Sequence, residues 1–189
     1  AQAWEFERKG GIIVASQESS LQSLRRALAV QHQHGIRVEE MDAAALRAIE
    51  PHVTPDAVGA AFYPDDSQVM PMMVVNRLLH LAREHGATVS ADTEVTGMLR
   101  RGDAVIGVRT SRGDVYADAV VNAAGPWAGG VAHLAGVHLP VVPRRGYVMV
   151  TAVQPPRVHH KVYAAEYIDD VGTSDASLQT SPVVESTPA

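Results

Sequence analysis

The chain is expected to adopt a mixed α/β fold, and three features of the sequence point there. A β-branched apolar run near the start, "GIIVA", is followed by leucines at helical spacing. From Ala87 onward the apolar period changes to two, in three runs split by "RRGD" and "SRGD". The third of those runs ends in "VVNAAGPWAGG", where five positions almost without side-chain bulk precede a tryptophan.

Gly11 to Ala15 reads as a buried strand, and Ser16 opens a helical stretch whose Leu21, Leu24 and Leu28 recur at i, i+3 and i+7 until Gly35 closes it. Asp42 suits the N-cap of a short helix carrying Leu46 and Ile49, which ends at Glu50 because Pro51 disfavours helical geometry in the residue before it. "VGAAFYP" reads as a strand. Pro71 stands at a first helical position, Val74, Leu78 and Leu81 share a face, and Gly86 is the stop. "TVSADTEVTGML", "AVIGVRT" and "VYADAVVNAAG" form a β-meander with two tight turns. The Arg-Gly-Asp tripeptides at Arg101–Asp103 and Arg112–Asp114 are explained by that turn chemistry rather than by adhesion. "LPVVPRRGYVMVTAV" and "KVYAAEYI" add two strands, and the tail from Asp169 reads as loop.

Composition narrows the function. With 189 residues, 46% of them hydrophobic and 20% charged, the chain can bury a core and falls in the range of soluble globular proteins. A net charge of -5 gives no basic footprint for nucleic acid. The absence of cysteine excludes disulfides, a thiolate nucleophile and a Cys-type zinc site, and fits a reducing compartment. Apolar runs are too short to cross a bilayer as helices. The chain starts at Ala1 without a leader and stops at "VVESTPA", so both ends read as cuts through a larger protein.

Nine histidines raise the question of a metal, yet His80/His85 and His133/His138 are five apart and His32/His34 two apart, so no pair has the i, i+4 spacing of a helical site. His159 and His160 are adjacent, without a carboxylate at ligand spacing, and read as loop histidines. No metal is expected. G-x-S-x-G, G-x-G-x-x-G and the Walker loop are all missing. What remains is the strand end at Asn122–Trp127. Residues without bulk let a ligand approach the main chain, and amides beyond a strand's C-terminal edge are natural donors to an anion; a turn packed tightly under a helix is the other reading.

The ordered series "GGIIVAS", "IEPHV", "YPDDSQVMPMMVVNRLLHLAREHGATV", "TEVTGMLRRGDAVIGVRTSRGDVYADAVVNAAGPWA" and "LPVVPRRGYVMVT" closely resembles the FAD-dependent oxidoreductases of the D-amino-acid oxidase, glycine oxidase and sarcosine oxidase superfamily. The resemblance covers nearly the whole chain. It implies a partial FAD-binding Rossmann-like domain with a β-meander, interleaved with a substrate domain on a mixed sheet. Residues 1–63 and 137–189 would belong to the substrate domain and 64–136 to the FAD domain, without the family's N-terminal phosphate loop.

The same resemblance implies that the main chain at Val95 meets the adenine and that Ala123, Ala124 and Gly125 approach the dinucleotide. Trp127 matches the aromatic of the "AAG-x-W" signature, covering the cofactor or anchoring the short helix. Tyr163 and Tyr167 resemble tyrosines lining the amine pocket, with two tyrosines packed in the sheet as the alternative. Arg145, with its neighbour Arg144, would fork a substrate carboxylate or make interdomain ion pairs.

The implied reaction is oxidation of the C–N bond of a small amino acid such as glycine, sarcosine, a D-amino acid or a proline-like compound. Hydride passes to FAD, and the imine product hydrolyses. No dedicated catalytic acid or base is assigned, and oxidase and dehydrogenase chemistry both stay open. A flavin-free binding or assembly subunit retaining the fold is the alternative from a different class. The expected location is the cytoplasm, including the inner face of the membrane as a peripheral protein. A homo- or hetero-oligomer is compatible with this reading, and the 189-residue chain by itself is expected to be inactive and to bind FAD poorly.

Overall fold

The computed structural model describes residues 4–143, 145–155, 157–165 and 182–187. They form a mixed α/β structure in two compact units, one made of Ala1–Leu81 with Thr151–Ala189, the other of Ala82–Val150. These divisions fall at 81/82 and 150/151, whereas the family resemblance places domain boundaries at 63/64 and 136/137.

The first unit is built on a five-stranded mixed sheet. Its strands are β1 (Gly11–Ala15), β2 (Glu39–Asp42), β3 (Gly59–Tyr63), β7 (Lys161–Ala164) and β8 (Val183–Val184), in the order β2-β3-β1-β7-β8. β1 runs parallel to β7 and antiparallel to β3, and the remaining pairs are antiparallel. The unbroken apolar run of β1 follows from burial on both faces. Against one face, Ala15 packs with Leu21, Leu24 and Leu28 of α1 (Glu18–Gln33) and with Ala61. Against the other, Ile12 and Val14 pack with Leu46 of α2 (Ala43–Ile49) and with Ala57 and Ala60.

α1 starts later than Ser16, with Gln17 at the N-cap and no side-chain cap bond. Asp42 caps α2 as its identity suggests: its Oδ1 accepts from the amides of Ala44 at 2.9 Å and Ala45 at 2.8 Å. α3 (Pro71–Glu84) begins at the proline. Two short strands escape the sequence pattern. β2 reads "EEMD", too polar to signal a strand, and β8 lies in the stretch that reads as loop.

The second unit carries the antiparallel meander β4 (Val95–Arg101), β5 (Ala104–Thr110) and β6 (Gly113–Tyr116), followed by a 3₁₀ turn (Gly125–Trp127) and α4 (Ala128–Leu134). The two tight turns fall at the Arg-Gly-Asp positions. Three expected strand stretches are corrected. A turn at Ala91–Asp92, with Asp92 at φ 50°, separates Thr88–Val89 from β4. β6 ends at Tyr116, and residues 117–124 enter no ladder among the described residues. The described part of 139–153 likewise forms no strand, and Val148, Met149 and Val150 are each about nine-tenths exposed. Apolar, β-branched sequence favours a strand, but the strand forms only where a neighbour accepts its hydrogen bonds.

Candidate functional site

In the second unit, the stretch from Asn122 to Trp127 is an open strap of main chain. Ala123 and Gly125 are exposed and Ala124 is half-buried. Asn122 shapes the strap from within: its Oδ1 accepts from the Ala124 amide at 3.3 Å, and its Nδ2 donates to the Ala128 carbonyl at 2.9 Å. Gly125 adopts φ 53° with nothing within 4 Å of the position a Cβ would take. The backbone conformation demands glycine there, not crowding. Pro126 is the second residue of the 3₁₀ turn, which the Trp127 amide closes by donating to the Ala124 carbonyl at 3.0 Å.

Trp127 is 76% exposed, so it does not anchor a core within this unit. Beside the strap lies a cavity of about 320 Å³ lined mainly by apolar side chains, among them Met98, Val105, Val120 and Val131, with Asn122 at its polar edge. Val95 begins β4 opposite Thr110 and is half-buried, and the strand is bulged between Val95 and Gly97. Arg145 belongs to this same unit, exposed and outside any regular element.

Tyr163 lies in the first unit, on β7, opposite Ile13 in the parallel register. Its neighbours Val162 and Ala164 line a second cavity, of about 360 Å³, so alternation puts the Tyr163 side chain on the other face of the sheet. The Lys161 ammonium stands 5.2 Å from its ring centroid. Tyr167 and Arg144 lie outside the described residues. The structure therefore brings Val95, Ala123, Ala124, Gly125, Trp127 and Arg145 into one unit and puts Tyr163 in the other.

Glu50, which the sequence marks only as a helix end, is 1% exposed. Its carboxylate accepts the main-chain amides of His159 and His160, both at 3.0 Å, and meets the His160 Nδ1 at 2.9 Å. The His160 ring stands edge-on to Phe62, with centroids 5.5 Å apart. His160 is thus a loop histidine just before β7 that is bound to a buried carboxylate. Sequence spacing could not find this pair, since 110 residues separate its members. Among the described residues no group of three His, Asp or Glu side chains could hold a metal ion.

The model of one family, FAD dependent oxidoreductase, matches residues 1–178. The chain belongs to that family. This FAD-dependent oxidoreductase chain is similar to the hydrogen cyanide synthase subunit HcnC of Pseudomonas aeruginosa, 33% identical over 154 residues that cover 80% of the chain and 37% of the relative. It is also similar to one of the subunits of the anaerobic glycerol-3-phosphate dehydrogenase of Escherichia coli, 32% identical over 76% of the chain and 28% of the relative. Among solved structures, the glycine oxidase of Geobacillus kaustophilus aligns with a TM-score of 0.70 and 26% identity, over 85% of the chain and 43% of that protein. The chain thus spans less than half the length of these relatives. FAD is the cofactor of the family, and no helix among the described residues is long and apolar enough to cross a membrane.

Proposed function

We propose that the protein carrying this chain oxidises the C–N bond of a small amino acid, with FAD as the hydride acceptor. The observation that carries this reading is the strap at Ala123, Ala124 and Gly125: small residues, the first and last exposed and Ala124 half-buried, on a family-matched segment. Bare peptide lets a flat dinucleotide approach closely, and the exposed Trp127 ring can cover it. In this reading the strap, with the main chain at Val95, holds the cofactor's adenosine side, so the second unit is the flavin unit. The mixed sheet of the first unit then forms the substrate side. Tyr163, on β7, orients the substrate there.

Bound FAD supplies the redox chemistry, and the chain's residues contribute orientation and exclusion of water. The amino-acid substrate is supported by the likeness to a glycine oxidase, and the relation to a glycerol-3-phosphate dehydrogenase makes a phosphorylated alcohol the competing substrate. The absence of cysteine suits a cytoplasmic setting.

The test is a substrate panel on the full-length protein, purified with its flavin. Glycine, sarcosine, D-alanine, L-proline and glycerol 3-phosphate are each mixed anaerobically, and flavin bleaching is followed. Bleaching by an amino acid supports the reading. Bleaching by glycerol 3-phosphate alone overturns the amine assignment, and a folded, colourless protein that cannot be reconstituted with FAD favours the flavin-free subunit.

A further inference from the structure

The chain leaves the meander at a point where pairing could continue. Tyr116, the last residue of β6, stands opposite Gly107, and the Ala117 amide adds one more bond, to the Ile106 carbonyl at 3.0 Å. Continuing that register would set Asp118 and Ala119 beside Val105 and Ala104, with which β5 begins. The chain turns away instead at Asp118. From there to Ala123, no main-chain amide or carbonyl has a main-chain partner among the described residues.

The side chains of this segment speak against water as the partner. Ala119, Val120 and Val121 follow one another without alternation, the pattern of a strand covered on both faces rather than on one. Ala119, Val120 and Asn122 line the cavity of about 320 Å³, across from Met98 and Val105 of the meander and Val131 of α4, while Val121 stands 87% exposed. A strand edge left open in a finished fold is guarded by lysine, proline or inward-pointing charge. Of residues 118–123, Asp118 alone is charged, and none is lysine or proline.

The pairing requirement narrows the occupant. Main-chain groups of an extended segment are directed to both of its edges, so a single neighbour satisfies only part of them. A second copy docked about a two-fold axis supplies one neighbour and leaves the other edge open. Full pairing takes a strand on each side. The relatives have chain enough for both: this sequence covers 37% of the HcnC subunit and 43% of the glycine oxidase, so more than half of each lies outside the aligned part.

We propose that residues 118–123 form an interior strand of a sheet whose neighbouring strands come from the part of the full-length protein outside these 189 residues. Those neighbours are apolar and β-branched, because they share the two covered faces. The strap at Ala123–Gly125 then lies at the C-terminal end of the strand, where an open α/β sheet takes its ligands. Neither the identity of the substrate nor the place of FAD enters this inference.

Hydrogen exchange in the full-length, flavin-loaded protein, resolved to the amides of 119–123, is the first measurement. These amides are expected to exchange at least about 100-fold more slowly than an unstructured peptide of the same sequence, and to stay protected when the protein is diluted. Exchange at the peptide rate overturns the proposal, as does protection that disappears when dilution yields monomer. The second measurement is on Val121→Asp, which is expected to keep the wild-type oligomeric state and to melt about 5 °C or more below wild type. Val121→Thr, which buries a hydroxyl in nearly the same shape, is expected to lose part of that and serves in its place where Val121→Asp does not fold. An unchanged melting temperature leaves the segment in solvent, and a smaller oligomer gives it to a second copy; either result overturns the assignment.

Discussion

Glu50 shows how one buried side chain ties distant sequence together. It follows the last residue of α2, and its carboxylate takes two main-chain amides and a ring nitrogen from the residues just before β7. Removing it leaves those donors unpaired in a site that is 1% exposed. Glu50→Ala should therefore lower unfolding stability by about 3 kcal/mol, and Glu50→Gln by less, because one carbonyl oxygen still accepts. Denaturant midpoints of the three proteins check this, and equal midpoints would refute it. Sequence pattern could not show the contact, because the bond is made across 109 or 110 positions and neither partner sits in a periodic run.

Tyr63 adds a pH dependence of definite sign. Burial raises its pKa above the usual tyrosine value, against the opposing effect of its hydrogen bond to Gln31 at 2.9 Å, and Asp66 adds to the rise. Lys161 is also raised: burial works against its charge, but Tyr163 and the carboxylates of Glu185 and Asp66 outweigh burial. For both groups the folded-state pKa exceeds the unfolded one, so the stability they contribute is complete below about pH 10 and is lost as pH rises through the folded values. Stability is expected to be insensitive to these two groups from neutral to mildly alkaline pH and to fall above the ordinary range. Tyr63→Phe should remove part of that alkaline fall. Denaturant midpoints measured across the alkaline range test it, and a midpoint that changes identically in both proteins would count against the assignment.

At the scale of elements, the legible parts were those with a partner implied by their own pattern. "GIIVA" followed by leucines at helical spacing describes a strand and the helix that covers it, and both are found. Asp42 is a further case: its side chain alone names the start of α2, and both expected amide bonds are present. Asp42→Ala should cost about 1 kcal/mol, while Asp42→Ser retains most of the cap. Because α2 delivers Leu46 to the core and leads into Glu50, the loss should also speed amide exchange at His159 and His160. Exchange rates at those two amides decide the matter. The stretches at 117–124 and 139–153 failed for the opposite reason. Their valines favour extended chain, but apart from the Ala117 amide, which donates to the Ile106 carbonyl of β5 at 3.0 Å, the described residues of these stretches enter no ladder, and local sequence does not encode a neighbour.

At the scale of the molecule, the two units differ in how much they bury. The first closes its core on both faces of the sheet, with Ile12, Ala15, Leu46, Ala60 and Ala61 at 0% exposure. Among the described residues of the second, the buried apolar side chains are Leu99, Ala128 and Ala132, and the strap at Ala123–Gly125 stands in the open. The family match was legible because the order of its motifs survives along the chain, whereas Glu50 emerged only when the fold brought the end of α2 against the residues before β7. An open strap permits a clean test of the cofactor reading. A leucine at the exposed position 123 meets solvent, so Ala123→Leu should change unfolding stability by no more than about 0.5 kcal/mol. If the dinucleotide lies against that main chain, the added bulk should weaken FAD retention in the full-length protein at least about tenfold, a loss of about 1.4 kcal/mol of binding. Flavin content after extended dialysis, read beside the melting curve, separates the two effects. Wild-type flavin retention by Ala123→Leu would place the cofactor elsewhere, and a large fall in stability would show that the position is packed in the full-length protein.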